Sequence, residues 1–176
     1  KLKLSSLPNK KVMAICHFPS FYESMDVTQH IVKLNPISVE LIDNTMIKLA
    51  RDIQIFKQTV DDFVKGKPET LLVVEFAEKN ENQNKKKLIQ LEKLMKNLGY
   101  DWNTKIKSGG VIKIFNPKDQ SRVTEMRKSG LNIMMSMKSD SKPVSFVEDC
   151  AVSLENLAEY TNGLTKIFKK YDVNGT

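Results

Sequence analysis

The chain has 176 residues, 40% hydrophobic and 28% charged, with 28 Lys and Arg against 21 Asp and Glu for a net charge of +7. This composition supports one large domain or two small ones, and no run approaches the roughly 18 apolar residues that a membrane-spanning helix needs. The positive charge does not describe a nucleic-acid surface: Lys79, Lys85, Lys86, Lys87, Lys93 and Lys96 interleave with Glu78, Glu81 and Glu92 as the solvated face of a helix, without the aromatic–basic alternation of an RNA-binding sheet. The opening KLKLSSLPNKK is basic but lacks a long apolar segment, so no signal peptide is expected. Cys16 and Cys150 have no metal-ligand spacing and read as reduced, buried thiols of a cytosolic protein.

In chain order, VMAICHF at 12–18 is almost wholly apolar and predicts a strand buried on both faces. Ser20 with Glu23 three residues later is a capping box, opening a helix with Met25, Thr28, Ile31 and Val32 inward, which Asn35-Pro36 stops. ISVELID at 37–43 predicts a second strand. Asn44 can cap a short helix with Met46, Leu49, Ala50 and Ile53 on one face, and the polar QTVDDFVKGKPE links onward. The pattern then recurs. TLLVVEFA at 70–77 is a strand, and 81–98 is a helix with Leu88, Leu91, Leu94, Met95 and Leu98 inward and Gly99 as its C-terminal stop. Extended structure is expected between Thr104 and Phe115, broken by Gly109-Gly110; the lone Trp102 precedes it in a turn-like setting. Asn116-Pro117 starts a helix carrying Val123, Met126, Gly130 and Leu131 inward. PVSFVEDCAV at 143–152 predicts a last strand. Ser153 caps a last helix with Leu157, Thr161, Leu164, Phe168 and Tyr171 inward, ended by Asn174-Gly175.

Amphipathic helices alternating with strands predict an α+β fold of ferredoxin-like split βαβ repeats, an antiparallel sheet with helices on one face. A doubly wound parallel sheet is the alternative, disfavoured because no glycine-rich phosphate turn follows the first strand.

No P-loop, HExxH, CxxC or GxSxG is present. His17 and His30, the only histidines, read as hydrogen-bonded structural residues, so neither a metal site nor a self-contained catalytic group is expected in this chain. Met134, Met135 and Met137 are adaptable apolar groups suited to ordinary core or to a domain contact. Glu148 and Asp149, adjacent on an expected strand, must face opposite ways.

The stretch MRKSGLNIMMSMKSDSKPVSFVEDCAVSLENLAEYTNGLTKIFKKYDVNGT, with AICHFPSFYESMD and VELIDNTMIKLARD upstream, resembles the C-terminal, substrate-side domain of FAD-linked oxidases. This is the family of D-lactate dehydrogenases, the glycolate oxidase D subunit and D-2-hydroxyglutarate dehydrogenase. The large bacterial branch fused to an iron–sulfur region is the most similar. The likeness runs from about residue 11 to 176, and 130–157 is its most specific part.

The resemblance implies that residues 1–176 form a cap domain within a longer enzyme. A separate domain would bind FAD, and a later histidine-bearing segment would complete the active site, often with a divalent metal. It implies oxidation of a small D-2-hydroxy acid, with hydride transfer to flavin and electrons leaving through an iron–sulfur cluster or quinone. It also implies a cytoplasmic enzyme or one peripheral to the inner membrane through its electron acceptor, with this chain inactive alone. Arg127 matches the family's position for the substrate carboxylate, a role that suits a planar guanidinium. Three departures stand beside it: Thr124 where an aromatic is usual, Lys128 where an acid is usual, and Val147 where some relatives carry a substrate-facing lysine. Lys142, or Lys138, is the expected substitute for that lysine. The rival to this enzyme is a stand-alone ferredoxin-like binding module without chemistry.

Overall fold

The computed structural model describes residues 10–103, 108–135, 144, 147, 150–173 and 175. Strand β1 (Val12–Phe18) leads through helix α1 (Phe21–Val32) to β2 (Ser38–Asp43). Helices α2 (Asn44–Asp52) and α3 (Gln54–Phe63) follow, then β3 (Thr70–Phe76), α4 (Glu81–Asn97) and β4 (Gly110–Ile114). The chain continues with α5 (Pro117–Lys128), α6 (Gly130–Met135), a 3₁₀ turn at Leu154–Asn156 and α7 (Leu157–Lys170).

The strands form one four-stranded sheet in the order β2-β3-β1-β4, every neighbouring pair antiparallel. Each crossover therefore skips a strand: α1 carries the chain from β1 past β3 to β2, and α4 carries it from β3 past β1 to β4. This is the split βαβ arrangement, and the fold is α+β as the periodicity implies.

The helices do not keep to one face. Val12, Ala14, Cys16 and Phe18 of β1 belong to a core with Val27 and Ile31 of α1, Leu88, Leu91 and Met95 of α4, and Ala158 of α7. Met13 and Ile15 of the same strand belong to a second core with Ile47 and Ala50 of α2, Phe56 and Val60 of α3, Val123 and Met126 of α5, and Ile133 of α6. The reason lies in β1 and β3. Apart from Glu75, every side chain of these central strands is buried, so both faces of the sheet need apolar cover.

The caps form as their side chains dictate. Ser20 Oγ accepts the Glu23 N–H at 3.2 Å and donates to Glu23 Oε2 at 2.7 Å. Asn80 Oδ1 takes the Gln83 N–H at 2.9 Å at the start of α4, and Gly99, at φ +94°, ends that helix in the left-handed region. Asp43 rather than Asn44 caps α2, its Oδ1 accepting from Met46 N–H at 2.8 Å.

Other expectations change with tertiary context. The polar link at 58–69 is half helix, because Phe56, Thr59 and Val60 of α3 cover the second face. Ser129 caps α5, so Gly130 opens a separate short helix and Leu131 stands 70% exposed while Ile133 turns inward. Half of the strand expected at 143–152 falls outside the described residues, and its described members Val144, Val147, Cys150, Ala151 and Val152 are not in a strand. Helix α7 fully buries only Ala158; Leu157, Thr161, Leu164 and Phe168 are half-buried and Tyr171 is exposed. Cys16 is buried, as read, but Cys150 is exposed.

Candidate functional site

Arg127 sits in the last turn of α5, where a cation also complements the negative end of the helix dipole. That helix is held firmly. Asn116 caps it, Pro117 occupies its first turn, and Val123 and Met126 are sunk in the second core. Gln120, 3% exposed, donates its amide to the carbonyls of Lys11, Ile114 and Phe115 at 3.1, 3.2 and 3.2 Å. Arg122 reaches across to α3, with Nη2 2.6 Å from Asp62 Oδ2, Nη1 3.2 Å from Asp119 Oδ1, and its guanidinium over the Phe63 ring.

Arg127 is thereby carried over the β2 edge of the sheet, where its Nη2 donates to Glu40 Oε2. Both side chains remain half-exposed. Alternation along β2 explains the meeting. Ile42 is buried in the second core, so Glu40, two residues earlier, stands on the same face as α5. An apolar surface adjoins the arginine in sequence: Leu131 and Met135 are exposed and Met134 is half-buried. At Gly130 the chain passes close to α2, where a Cβ would stand 3.1 Å from Met46 Sδ. Neither Met134 nor Met135 is ordinary core. Met137 lies outside the described residues, as do Glu148, Asp149 and both substitute lysines, Lys138 and Lys142.

Thr124 and Lys128 face elsewhere. They help line an open cleft of about 1040 Å³ at the end of the sheet where β1 begins, together with Lys10, Lys11, Asn84 and Lys85. Arg127 is not part of that lining.

His17 has a structural setting. It is 1% exposed, its Nε2 accepts the Lys65 N–H at 3.2 Å, and Nδ1 therefore carries the proton toward Ile15 O at 3.2 Å. Trp102 meets the ring edge-on at 5.0 Å. Burial pushes the imidazole down from 6.5 to about 4, against the raising effect of its backbone hydrogen bonds. His30 is half-buried beside the inward stripe of α1. Burial likewise drives the Cys16 thiol far above its usual value, leaving it inert.

The residues present do not form a seat for a metal ion: among those described, no three His, Cys, Asp or Glu side chains converge. Nor do the glycines cradle a pyrophosphate. A Cβ on Gly109 would strike His17 O at 2.3 Å, and one on Gly110 would enter the Trp102 ring at 2.4 Å, so both serve the chain's own packing. No described helix is long and apolar enough to cross a membrane.

Residues 7–176 match the family model of FAD linked oxidases, C-terminal domain. The chain belongs to this family. It is 25% identical over 185 residues to a D-2-hydroxyglutarate dehydrogenase of Haemophilus influenzae, covering 98% of this chain and 17% of that protein. It is 28% identical over 167 residues to a D-2-hydroxyglutarate dehydrogenase of Pantoea ananatis, covering 91% and 16%, and 25% identical over 173 residues to that of Escherichia coli, again 91% and 16%. The domain thus spans about a sixth of the length of these relatives. Sequence reading singled out Arg127 through the family likeness and did not name Glu40 as its partner; the only signal for the meeting is that Glu40 shares its strand face with Ile42.

Proposed function

We propose that this domain forms the substrate side of an FAD-dependent oxidoreductase acting on a D-2-hydroxy acid of the lactate, glycolate or 2-hydroxyglutarate type, with Arg127 receiving the acid's carboxylate. The observation that carries the reading is the Arg127–Glu40 pair. A half-exposed guanidinium on a well-anchored helix already donates to one carboxylate, at a surface flanked by adaptable apolar side chains. Exposed pairs of this kind contribute no more than about 1 kcal/mol, so an incoming carboxylate can compete for the arginine or share it. The names of the relatives support the substrate class. The flavin, and any iron–sulfur cluster or divalent metal, belongs to other parts of the protein. The residues of this chain bind and orient the acid.

The test is steady-state kinetics of the full-length enzyme. A charge-assisted fork contact contributes about 2–4 kcal/mol, extending the range for bonds to charged groups, so Arg127→Ala should lower kcat/KM by roughly 30- to 1,000-fold. Arg127→Lys should recover only part, because an ammonium cannot reproduce the planar fork. The flavin absorbance should be unchanged in both. Near-wild-type kcat/KM in Arg127→Ala would overturn the assignment.

A further inference from the structure

The two arginines of α5 are used differently. Arg122 has both terminal nitrogens engaged, each with a carboxylate, and its flat face lies over Phe63. It ties α5 to α3. Arg127 has one partner among the described residues, Glu40, which takes a single terminal nitrogen. Both edges that grip a carboxylate with two parallel bonds include Nη2, paired with Nε on one side and with Nη1 on the other; Glu40 takes one Nη2 hydrogen, so the edge on the other side keeps both of its donors.

From this contrast we infer that Glu40 is a positioning residue for Arg127: it anchors one corner of the guanidinium and presents the open edge to the substrate. The inference rests on the carboxylate role of Arg127 given above. Glu40 suits the task by its placement. It stands on edge strand β2, backed by Val73 of β3 and followed by the buried Ile42, so its backbone is fixed by the sheet while its carboxylate remains at the surface. Without it, a half-exposed arginine in a helix's last turn would sample many rotamers, and each substrate would have to order the side chain on binding. With it, that ordering is done in the folded protein, and the guanidinium faces the substrate in one orientation.

The experiment is a double-mutant cycle in the full-length enzyme, with KM and kcat measured separately and flavin absorbance recorded for each variant. Glu40→Ala should raise KM about 2- to 5-fold, the most that an exposed pair of this kind can supply, while kcat changes little. Glu40→Gln should restore most of the affinity, since its amide oxygen still accepts from Nη2. In the Arg127→Ala background, Glu40→Ala should add nothing further. Should Glu40→Ala fail to fold, Glu40→Asp, whose carboxylate stops one methylene short, takes its place in the cycle. If Arg127→Ala loses activity while the Glu40 variants keep the wild-type KM, Glu40 is not a positioning residue and the role of Arg127 stands. If the two effects multiply in the double variant, Glu40 acts through something other than Arg127. If Arg127→Ala is silent, both assignments fall together.

Discussion

The two faces of the sheet are covered by different means. On the first, long crossover helices do the work: α1 has 12 residues, α4 has 17, and they bury Met25, Val27, Ile31, Leu88, Leu91 and Met95 beside the polar Ser24, Thr28 and Asn84. On the second, cover comes in more pieces, α2 with 9 residues, α3 with 10, α5 with 12 and α6 with 6, and Ile53 alone separates α2 from α3. Charged contacts tie these pieces together and to the sheet: Arg122 to Asp62, Arg51 to Asp61 at 4.0 Å, and Arg127 to Glu40. Ion pairs also border the first face, Lys113 with Glu92 and Lys87 with Glu78. The second keeps ionic groups at its surface, and the proposed substrate arginine is among them. A site for a small acid fits the second face because Arg127 stands there half-exposed.

The largest effect should come from unequal responses to equal truncations. Leu91 is fully buried between the long helices and the sheet, where little can move to fill a cavity. Leu91→Ala should fall near the upper end of about 2–5 kcal/mol, and Ile47→Ala, on the short and separately hinged α2, near the lower end. Urea denaturation of both variants makes the comparison. Equal losses would show the second face to be as rigid as the first.

His17 offers the next test. It belongs to the second side of β1, between Ile15 and the Lys65 backbone, and burial holds its proton affinity down at about 4 rather than 6.5. A lowered value in the folded state means that unfolded chains take up protons first. The stabilisation is fully present above about pH 6.5 and is lost as pH falls toward 4, amounting to roughly 3 kcal/mol at most. The difference in stability between the wild type and His17→Gln, followed from pH 7.5 to 4, isolates this effect from the carboxylates. A difference that stays constant across that range would mean His17 titrates normally.

The smallest effect should be the loss of a cap. Asp43 bonds the Met46 N–H at the start of α2, and Asp43→Ala should cost about 0.5–2 kcal/mol. Because α2 bears on the second core alone, the loss should appear in hydrogen exchange of α2 and α3 before that of α1 and α4. Uniform acceleration across all four helices would show that the two faces unfold as one.

Much of the fold was legible in the chain because local rules act over a few residues. The unbroken apolar run at 12–18, the Ser20–Glu23 pair, Asn116-Pro117, and the leucine spacing in 88–95 each specify an element without help from distant residues. Arg127 was legible only through its family resemblance, since a single arginine on a helix has no local signature. The second layer was not legible. VMAICHF was rightly read as buried on both sides, yet what covers its second side depends on helices inserted after β2 and appended after β4, and α3 begins in a segment too polar to announce itself. The meeting of Glu40 with Arg127 joins positions 87 residues apart. Hydrophobic period and capping chemistry decided which segments become strands and helices; the sheet order β2-β3-β1-β4 decided which of their polar groups meet, because strand neighbours are set by long-range pairing that no local pattern encodes.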